Sequence, residues 1–526
     1  MLKRVIITVL IALIATNAVA IPATAAPNFT DVPAGSWATE AISSAANLGL
    51  MQGMGDGIFG YGRPVTHGEF QIILQRMSRF VEVSHAAFSQ DANTPLLREE
   101  MAVIMVNALG YGSLAPQIEL GEPLPFTDVT RNIGHIIIAH DIGMMHGTAP
   151  GIFNPTGTIT REQAAAILTR IYYKLDAPLD WVHGFYAFAS FAQRGLIRDM
   201  DSVSFGWSVM EWCYETGPRL NTGETGGNQW RIPVGYELIA SYPREHGAKA
   251  HLNVFMDTSI GLASLIACEQ SRNTAVQEII AEATRVYPGI GRSPFDGVTI
   301  NFEGLRGAAA RANFIAFLTE LSSGLGEKSL YVTVHPSTMD GIYFDGYDYR
   351  AIGRLADRVI LMTHDYHPRS LEGFVGTAWQ RHAATMPIAQ VYRALKAITD
   401  PTTGVEDHGK IAIAFSFHNV GWFVDNAGLA VVPAPVTVSM ETVLARMAQP
   451  DTVFGWSDTY RNPYIIYTTD DDERVFLWYK NSRSVEEMLQ LARLFDITGA
   501  SVWRLGIVPN DGVWDVWGSF VAPNAS

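Results

Sequence analysis

The sequence predicts an α/β protein. Its C-terminal part, residues 180–518, should close into a (β/α)8 TIM barrel with a small α+β insertion, and an all-α region precedes it. Three observations lead there. Eight short apolar runs alternate with amphipathic helical stretches, the pattern of a parallel sheet wrapped by helices. One gap in that series is too long for a single helix. Upstream of a connector at Asp176–Leu179 the pattern is different, because segments there recur at nearly constant spacing.

The strands are predicted over His183–Ala189, Ser202–Val209, Ala250–Phe255, Gly297–Glu303, Leu330–His335, Arg358–His364, Lys410–Ser416 and Ala500–Leu505. Helices such as Thr274–Val286, Ala308–Leu325 and Ser484–Phe495 separate them. The long gap, about 419–480, holds Tyr464–Thr468 and Arg474–Tyr479, which read as a hairpin across Thr469–Glu473 and place the insertion beside the barrel mouth.

At the N-terminus, Lys3 and Arg4 precede an apolar stretch from Val5 to Ala20, and Ala23-Thr24-Ala25 supplies small residues at cleavage spacing. Residues 1–25 are therefore expected to be a secretory signal peptide, removed on export. The rival reading is a retained anchor, which Asn17 and Pro22 interrupt. No later stretch is long and apolar enough to span a bilayer, so no membrane partner is expected after processing.

In the repeated region, Phe29-Thr30-Asp31-Val32 recurs as Phe126-Thr127-Asp128-Val129, and Gly57-Ile58-Phe59 as Gly151-Ile152-Phe153. Val65-Thr66-His67-Gly68-Glu69 aligns with Ile159-Thr160-Arg161-Glu162-Gln163. Each copy reads as a helix, a glycine stop, a loop and a Thr that caps a second helix. Leu97-Arg98-Glu99-Glu100-Met101 looks like the second half of a third, shortened unit. Over residues 28–175 this resembles the S-layer homology repeat, which docks exported proteins on secondary cell-wall polymers. The resemblance implies polymer contacts at Thr160, Arg161, Arg98 and Thr66, with His67 standing where the motif has Arg. A neutral imidazole cannot grip an anionic substituent as a guanidinium fork does. The plainer alternative is a helical stalk with Arg161 on a solvated face.

Strand alternation over Gly297–Glu303 sends Val298, Ile300 and Phe302 to the helices, and Thr299, Asn301 and Glu303 into the barrel. Glu303 then stands at the C-terminal mouth, where barrel enzymes place their chemistry. The run from Asp296 to Glu303 resembles the Asp-x-x-Asp-x-Asp-x-Glu signature of glycoside hydrolase family 18, and Asn481-Ser482-Arg483-Ser484 through Leu489, followed by Trp503-Arg504-Leu505-Gly506, most resembles its spore-cortex and peptidoglycan branch. Asp296 and Glu303 match, while Thr299 and Asn301 replace the inner two acids. Met362-Thr363-His364-Asp365 is similar to the family's Met-x-Tyr-Asp, and Trp503 matches the Trp that floors the sugar subsite.

The resemblance implies catalytic roles for Glu303, Asn301 and Asp296, and substrate contacts from Asp365, His364, Met362 and Trp503. Tyr186, Trp207 and Trp212, near the ends of the first two strands, are expected either to extend the sugar platform or to be packing. The implied chemistry is substrate-assisted: the 2-acetamido group attacks its own anomeric carbon while Glu303 protonates the leaving oxygen. No metal, nucleotide or redox cofactor is implied; His364 and His367 lack further clustered ligands.

A net charge of −15 argues against nucleic acid as a partner. Cys213 and Cys268 are the only cysteines, and the sequence leaves their pairing open. The expected protein is a secreted, wall-anchored glycosidase acting on β-linked N-acetylglucosamine polymer such as peptidoglycan. A sugar-binding barrel impaired by Asn301, and a structural surface-layer component, remain the alternatives.

Overall fold

The computed structural model describes residues 29–82, 91–225, 228–339 and 342–521. The expected signal peptide lies outside them. The helical region comprises α1 (Thr39–Asn47), α2 (His67–Arg76), α3 (Arg98–Ala108), α4 (Ile133–Asp141) and α5 (Arg161–Asp176). Three of these begin alike. Thr66 N–H donates to Glu69, Leu97 N–H to Glu100 and Thr160 N–H to Gln163, so each third helical residue reaches back over the helix start.

The residues just before α2, α3 and α5 close a three-membered ring of backbone bonds. Val65 donates to Ile159, Ile159 to Leu96, and Leu96 to Val65. The recurrent acid of each full copy ties down its glycine loop: Asp31 accepts from the N–H groups of Phe59, Gly60 and Tyr61, and Asp128 from those of Phe153 and Asn154. The repeats thus form a pseudo-threefold body, with α3 as the long helix of the shortened unit among the described residues.

The first strands of the C-terminal region are β1 (Trp181–Tyr186), β2 (Ser202–Cys213), β3 (Gly217–Asn221), β4 (Lys249–Asp257), β5 (Gly297–Glu303), β6 (Ser329–Val334), β7 (Arg358–Met362) and β8 (Ile411–Ser416). The insertion contributes β9 (Asn419–Val424), β10 (Val436–Val438), β11 (Val453–Ser457), β12 (Asn462–Thr468) and β13 (Arg474–Trp478), and β14 (Gly499–Trp503) completes the barrel. Parallel pairing runs β1-β14-β8-β7-β6-β5-β4-β2 and returns from β2 to β1, closing eight strands. β3 folds back antiparallel on the overlong β2 as a hairpin. The insertion is a five-stranded antiparallel sheet in the order β10-β9-β13-β12-β11, larger than the single hairpin legible in the sequence.

Side-chain parity divides the barrel. Trp181, Phe185, Tyr331, Ile360, Ala412 and Ala414 fill its interior as a separate apolar cluster. A polar chain threads the same space: His183 bonds Ser204 and Ser501, Ser204 meets Thr299 at 2.6 Å, and His251 lies 3.3 Å from Thr299 and 2.9 Å from Ser329. Every inward polar group in that chain has a neutral partner, as burial demands. Among the outer helices are α6 (Glu269–Thr284), α7 (Gly307–Gly324), α8 (Ile388–Ile398) and α9 (Ser482–Leu494).

The helical region is docked directly on the barrel. Asp141 at the end of α4 accepts from Tyr392 Oη at 2.6 Å and pairs with Lys396 Nζ at 2.8 Å, both on α8. Glu122 also holds Lys396, at 2.9 Å. Lys174 on α5 donates to Leu494 O and pairs with Asp496, and Arg493 on α9 donates to Ala177 O. One continuous apolar core runs through both regions.

Cys213 and Cys268 are both exposed free thiols. Among the described residues no helix is long and apolar enough to cross a membrane, and no group of three or more His, Cys, Asp or Glu side chains is arranged to hold a metal ion.

Candidate active site

The last residue of β5 is Glu303, at the C-terminal mouth of the barrel. Burial dominates its electrostatics and pushes its carboxyl up to about 7, with Asp257 and Asp365 adding to the rise and His364 and the Asn301 amide opposing it. His335, one residue past the end of β6, brings Nε2 to 3.9 Å from Glu303 Oε2. The same burial, helped by His364 and Arg306, drives His335 down to about 3, so its imidazole is neutral. Below about pH 7 a protonated acid therefore faces an uncharged ring.

Two residues before Glu303, Asn301 is almost wholly buried, and its Oδ1 accepts from Thr333 Oγ1 at 2.6 Å. One lone pair of that oxygen stays available for a second donor. Thr299, another step down, belongs to the neutral chain with Ser204 and His251. Of the three inward residues of β5 only Glu303 can ionise.

Two strands round the ring from β5, at and just past the end of β7, stand Met362, His364 and Asp365. Asp365 has a left-handed backbone (φ 59°) and meets His364 Nδ1 through Oδ2 at 2.9 Å. Burial opposes its charge, but His364, Lys480 and His418 outweigh that and hold the carboxyl well below the usual range. Lys480, buried behind it, donates to Thr385 Oγ1 at 2.9 Å, and desolvation lowers its ammonium to about 8 against the pull of Asp365. Asp365 Oδ1 has no hydrogen-bond partner.

The aromatic floor is Trp503 at the end of β14. It contacts Phe185 at 5.0 Å and Trp230 at 5.8 Å between ring centroids, and Trp230 stacks on Phe255 at 4.5 Å and 6°. A Cβ on Gly206 would come within 3.2 Å of the Trp230 ring, so this glycine makes room for the platform.

Several expectations need correction. Asp296 precedes β5 and lies at the far end of the barrel, about 23 Å of strand rise from Glu303. There it pairs with Arg244 and accepts from Ala250 N–H, a strand-tying role rather than a catalytic one. Tyr186 and Trp207 are buried among outward-facing core residues, Tyr186 against Phe205 and Trp207 stacked on the same ring, so neither reaches the mouth. Trp212, beyond the barrel on the β2–β3 hairpin, packs against the core and close to Gly261.

Arg161 and Arg98 are likewise buried. Arg161 donates to Phe59 O and Gln52 O and pairs with Glu69 at 3.0 Å; Arg98 donates to Phe153 O and His146 O. Each guanidinium also lies over the Phe of the neighbouring glycine loop, so its first task is to bolt one repeat to the next. Arg161 still borders a groove of about 350 Å³ lined by Gln52, Met54, Glu69 and Arg76. At the third position His67 meets Glu100 at 3.2 Å. Thr66 and Thr160 occupy the helix starts expected of them.

His335, Trp230, Phe255 and Lys480 escaped the sequence reading. For His335 a signal existed, since it ends a predicted strand as Glu303 does. Trp230 sits in an aperiodic loop and Lys480 after an insertion strand, where pattern gives no direction.

The sequence matches Glycosyl hydrolases family 18 over residues 248–507 and the S-layer homology domain over 28–70 and 125–165. It is 24% identical over 189 residues to the cortical fragment-lytic enzyme of Bacillus subtilis (strain 168), covering 36% of this chain and 39% of that one. A cell surface protein of Thermoanaerobacter kivui is 27% identical over 203 residues, 38% of this chain and 22% of the relative. The chain spans about half, or less, of the length of the curated relatives it matches. Among solved structures, the Bacillus cereus spore cortex-lytic enzyme SleL aligns with a TM-score of 0.48 at 16% identity, over 65% of this chain and 73% of that one.

Proposed function

We propose, for a chain whose barrel belongs to the family 18 glycosyl hydrolases and whose helical repeats are S-layer homology domains, that it is an exported, wall-anchored hydrolase of β-linked N-acetylglucosamine polymer, with peptidoglycan as its substrate. The observation that carries this is Glu303: a mouth carboxyl kept protonated near neutrality by burial, above an aromatic floor and beside a buried amide acceptor.

The reaction needs one acid. Glu303 gives its proton to the glycosidic oxygen as the bond from that oxygen to the anomeric carbon breaks. The carbonyl oxygen of the sugar's own acetamido group bonds to that carbon from the other face, forming an oxazolinium ring. Asn301 Oδ1 accepts the acetamido N–H and fixes the group for attack. Water then adds to the anomeric carbon, returns a proton to the Glu303 carboxylate and reopens the ring, so configuration is retained. Trp503 stacks on the sugar face, and the Asp365 carboxylate accepts a hydrogen bond from a sugar hydroxyl.

The anchor reading rests on the Arg161 groove, where a polymer substituent would meet Arg76 and the outer edge of Arg161. Cell-wall association follows from the S-layer homology domains, and substrate and anchor polymer would then share one compartment. A second reading, a sugar-binding barrel with little turnover, is favoured by one observation: Thr299 and Asn301 are both uncharged, which withholds electrostatic stabilisation from the cationic ring.

Digestion of purified peptidoglycan separates the two. Native protein should release new N-acetylglucosamine reducing ends and Glu303→Gln should release none. If native protein binds the polymer yet yields no reducing ends, the second reading stands.

A further inference from the structure

Arg504 follows the floor residue Trp503 and is half-buried. Among the described residues the one hydrogen bond from its side chain is long, Nη1 to Leu505 O at 3.4 Å. No carboxylate forms a salt bridge with it among the described residues, whereas other half-buried arginines here are committed: Arg272 to Glu320, Arg446 to Asp470, Arg461 to Glu487. His418, two residues past the end of β8, lies within electrostatic reach of Arg504 as well as of Asp365 and Lys480. Burial lowers its pKa without any acid to offset the loss of water. A guanidinium stripped of part of its hydration and given no anion costs stability, which a ligand anion can recover.

The surroundings agree. Lys480 is a second cation there, held by Thr385 and Asp365. Asp365 is committed to His364 and Lys480, and among the described residues no salt bridge joins it or Asp257 to Arg504.

We infer that Arg504 is a specificity-determining residue that binds a carboxylate on the sugar next to the one stacked over Trp503, so that the site selects an acid-bearing N-acetylhexosamine strand over neutral chitin. This rests on the glycan-hydrolase reading and names its substrate class: a strand in which alternate sugars carry a lactyl ether acid. A guanidinium meets such a carboxylate in a two-pronged geometry that no hydroxyl can reproduce.

The test is binding, measured by calorimetry in the Glu303→Gln background so that turnover plays no part. The two probes are peptidoglycan strands stripped of stem peptides by an amidase, which leaves free lactyl carboxylates, and chitin oligosaccharides of equal length. The carboxylated strand should bind about tenfold tighter, a difference of about 1.4 kcal/mol, and this preference should shrink with added salt. Adding Arg504→Gln should bring the ratio of the two affinities to about one, and Arg504→Lys should retain part of it. A ratio unchanged by Arg504→Gln, or an equal loss for both probes, overturns the inference. If neither probe binds, the glycan reading itself falls, a result distinct from loss of preference.

Discussion

His335 Nε2 lies 3.9 Å from Glu303 Oε2, and burial acts on both groups, raising the carboxyl to about 7 and lowering the imidazole to about 3. An acid catalyst must hold its proton, so activity should be full well below pH 7, about half-maximal near pH 7, and fall about tenfold per pH unit above it. An exposed Glu, with its usual value of 4.5, would lose activity far earlier. The pH dependence of kcat/KM on a soluble N-acetylglucosamine oligomer checks this; an alkaline limb near 4.5 refutes the protonated-acid assignment.

Asn301→Asp restores a charge beside the acid. The Asn301 amide now lowers the Glu303 pKa, and a carboxylate would raise it instead. Thr333 can still donate to the new side chain. The variant should show kcat raised about tenfold, from better stabilisation of the cationic ring, and an alkaline limb shifted upward. Steady-state kinetics across pH tests both effects.

Trp503 and Trp207 should part company on substitution. Trp503→Ala removes the sugar floor and should raise KM about tenfold, with the fold intact. Trp207→Ala empties a fully buried site and should cost about 3–5 kcal/mol of stability. Oligosaccharide kinetics and denaturant midpoints, measured on both variants, distinguish binding from packing.

The parity of the strands explains what the sequence revealed and what was misread. β5 has the predicted bounds, Gly297–Glu303, because apolar and polar residues alternate along it without interruption. The same rule applied to β2 assigns Ser202, Ser204, Gly206 and Ser208 inward and therefore turns Trp207 toward the helices. On β1 it turns His183 and Phe185 inward and Tyr186 out. Both misplaced aromatics were thus legible, had alternation outweighed the attraction of a Trp near a strand end. Arg504 and Trp230 were not: one follows the last strand, the other lies in a loop, and their surroundings come from residues far away in the chain.

Arg161→Ala should loosen the repeats before it affects the barrel. It leaves Phe59 O and Gln52 O without their donor and Glu69 without its partner, a loss of about 2–4 kcal/mol. Hydrogen exchange should accelerate across 52–62 while β5 stays protected. Uniform exchange rates in variant and native protein would show the bolt to be dispensable.

Asp141, Tyr392 and Lys396 give the two regions a fixed joint instead of a swinging tether. On the proposed reading, the distance from gripped polymer to cutting site is then set by the protein's own dimensions. Such a molecule trims only strands that pass at one height above its foothold and spares the layer it stands on, so the joint itself acts as a gauge of where the wall is cut.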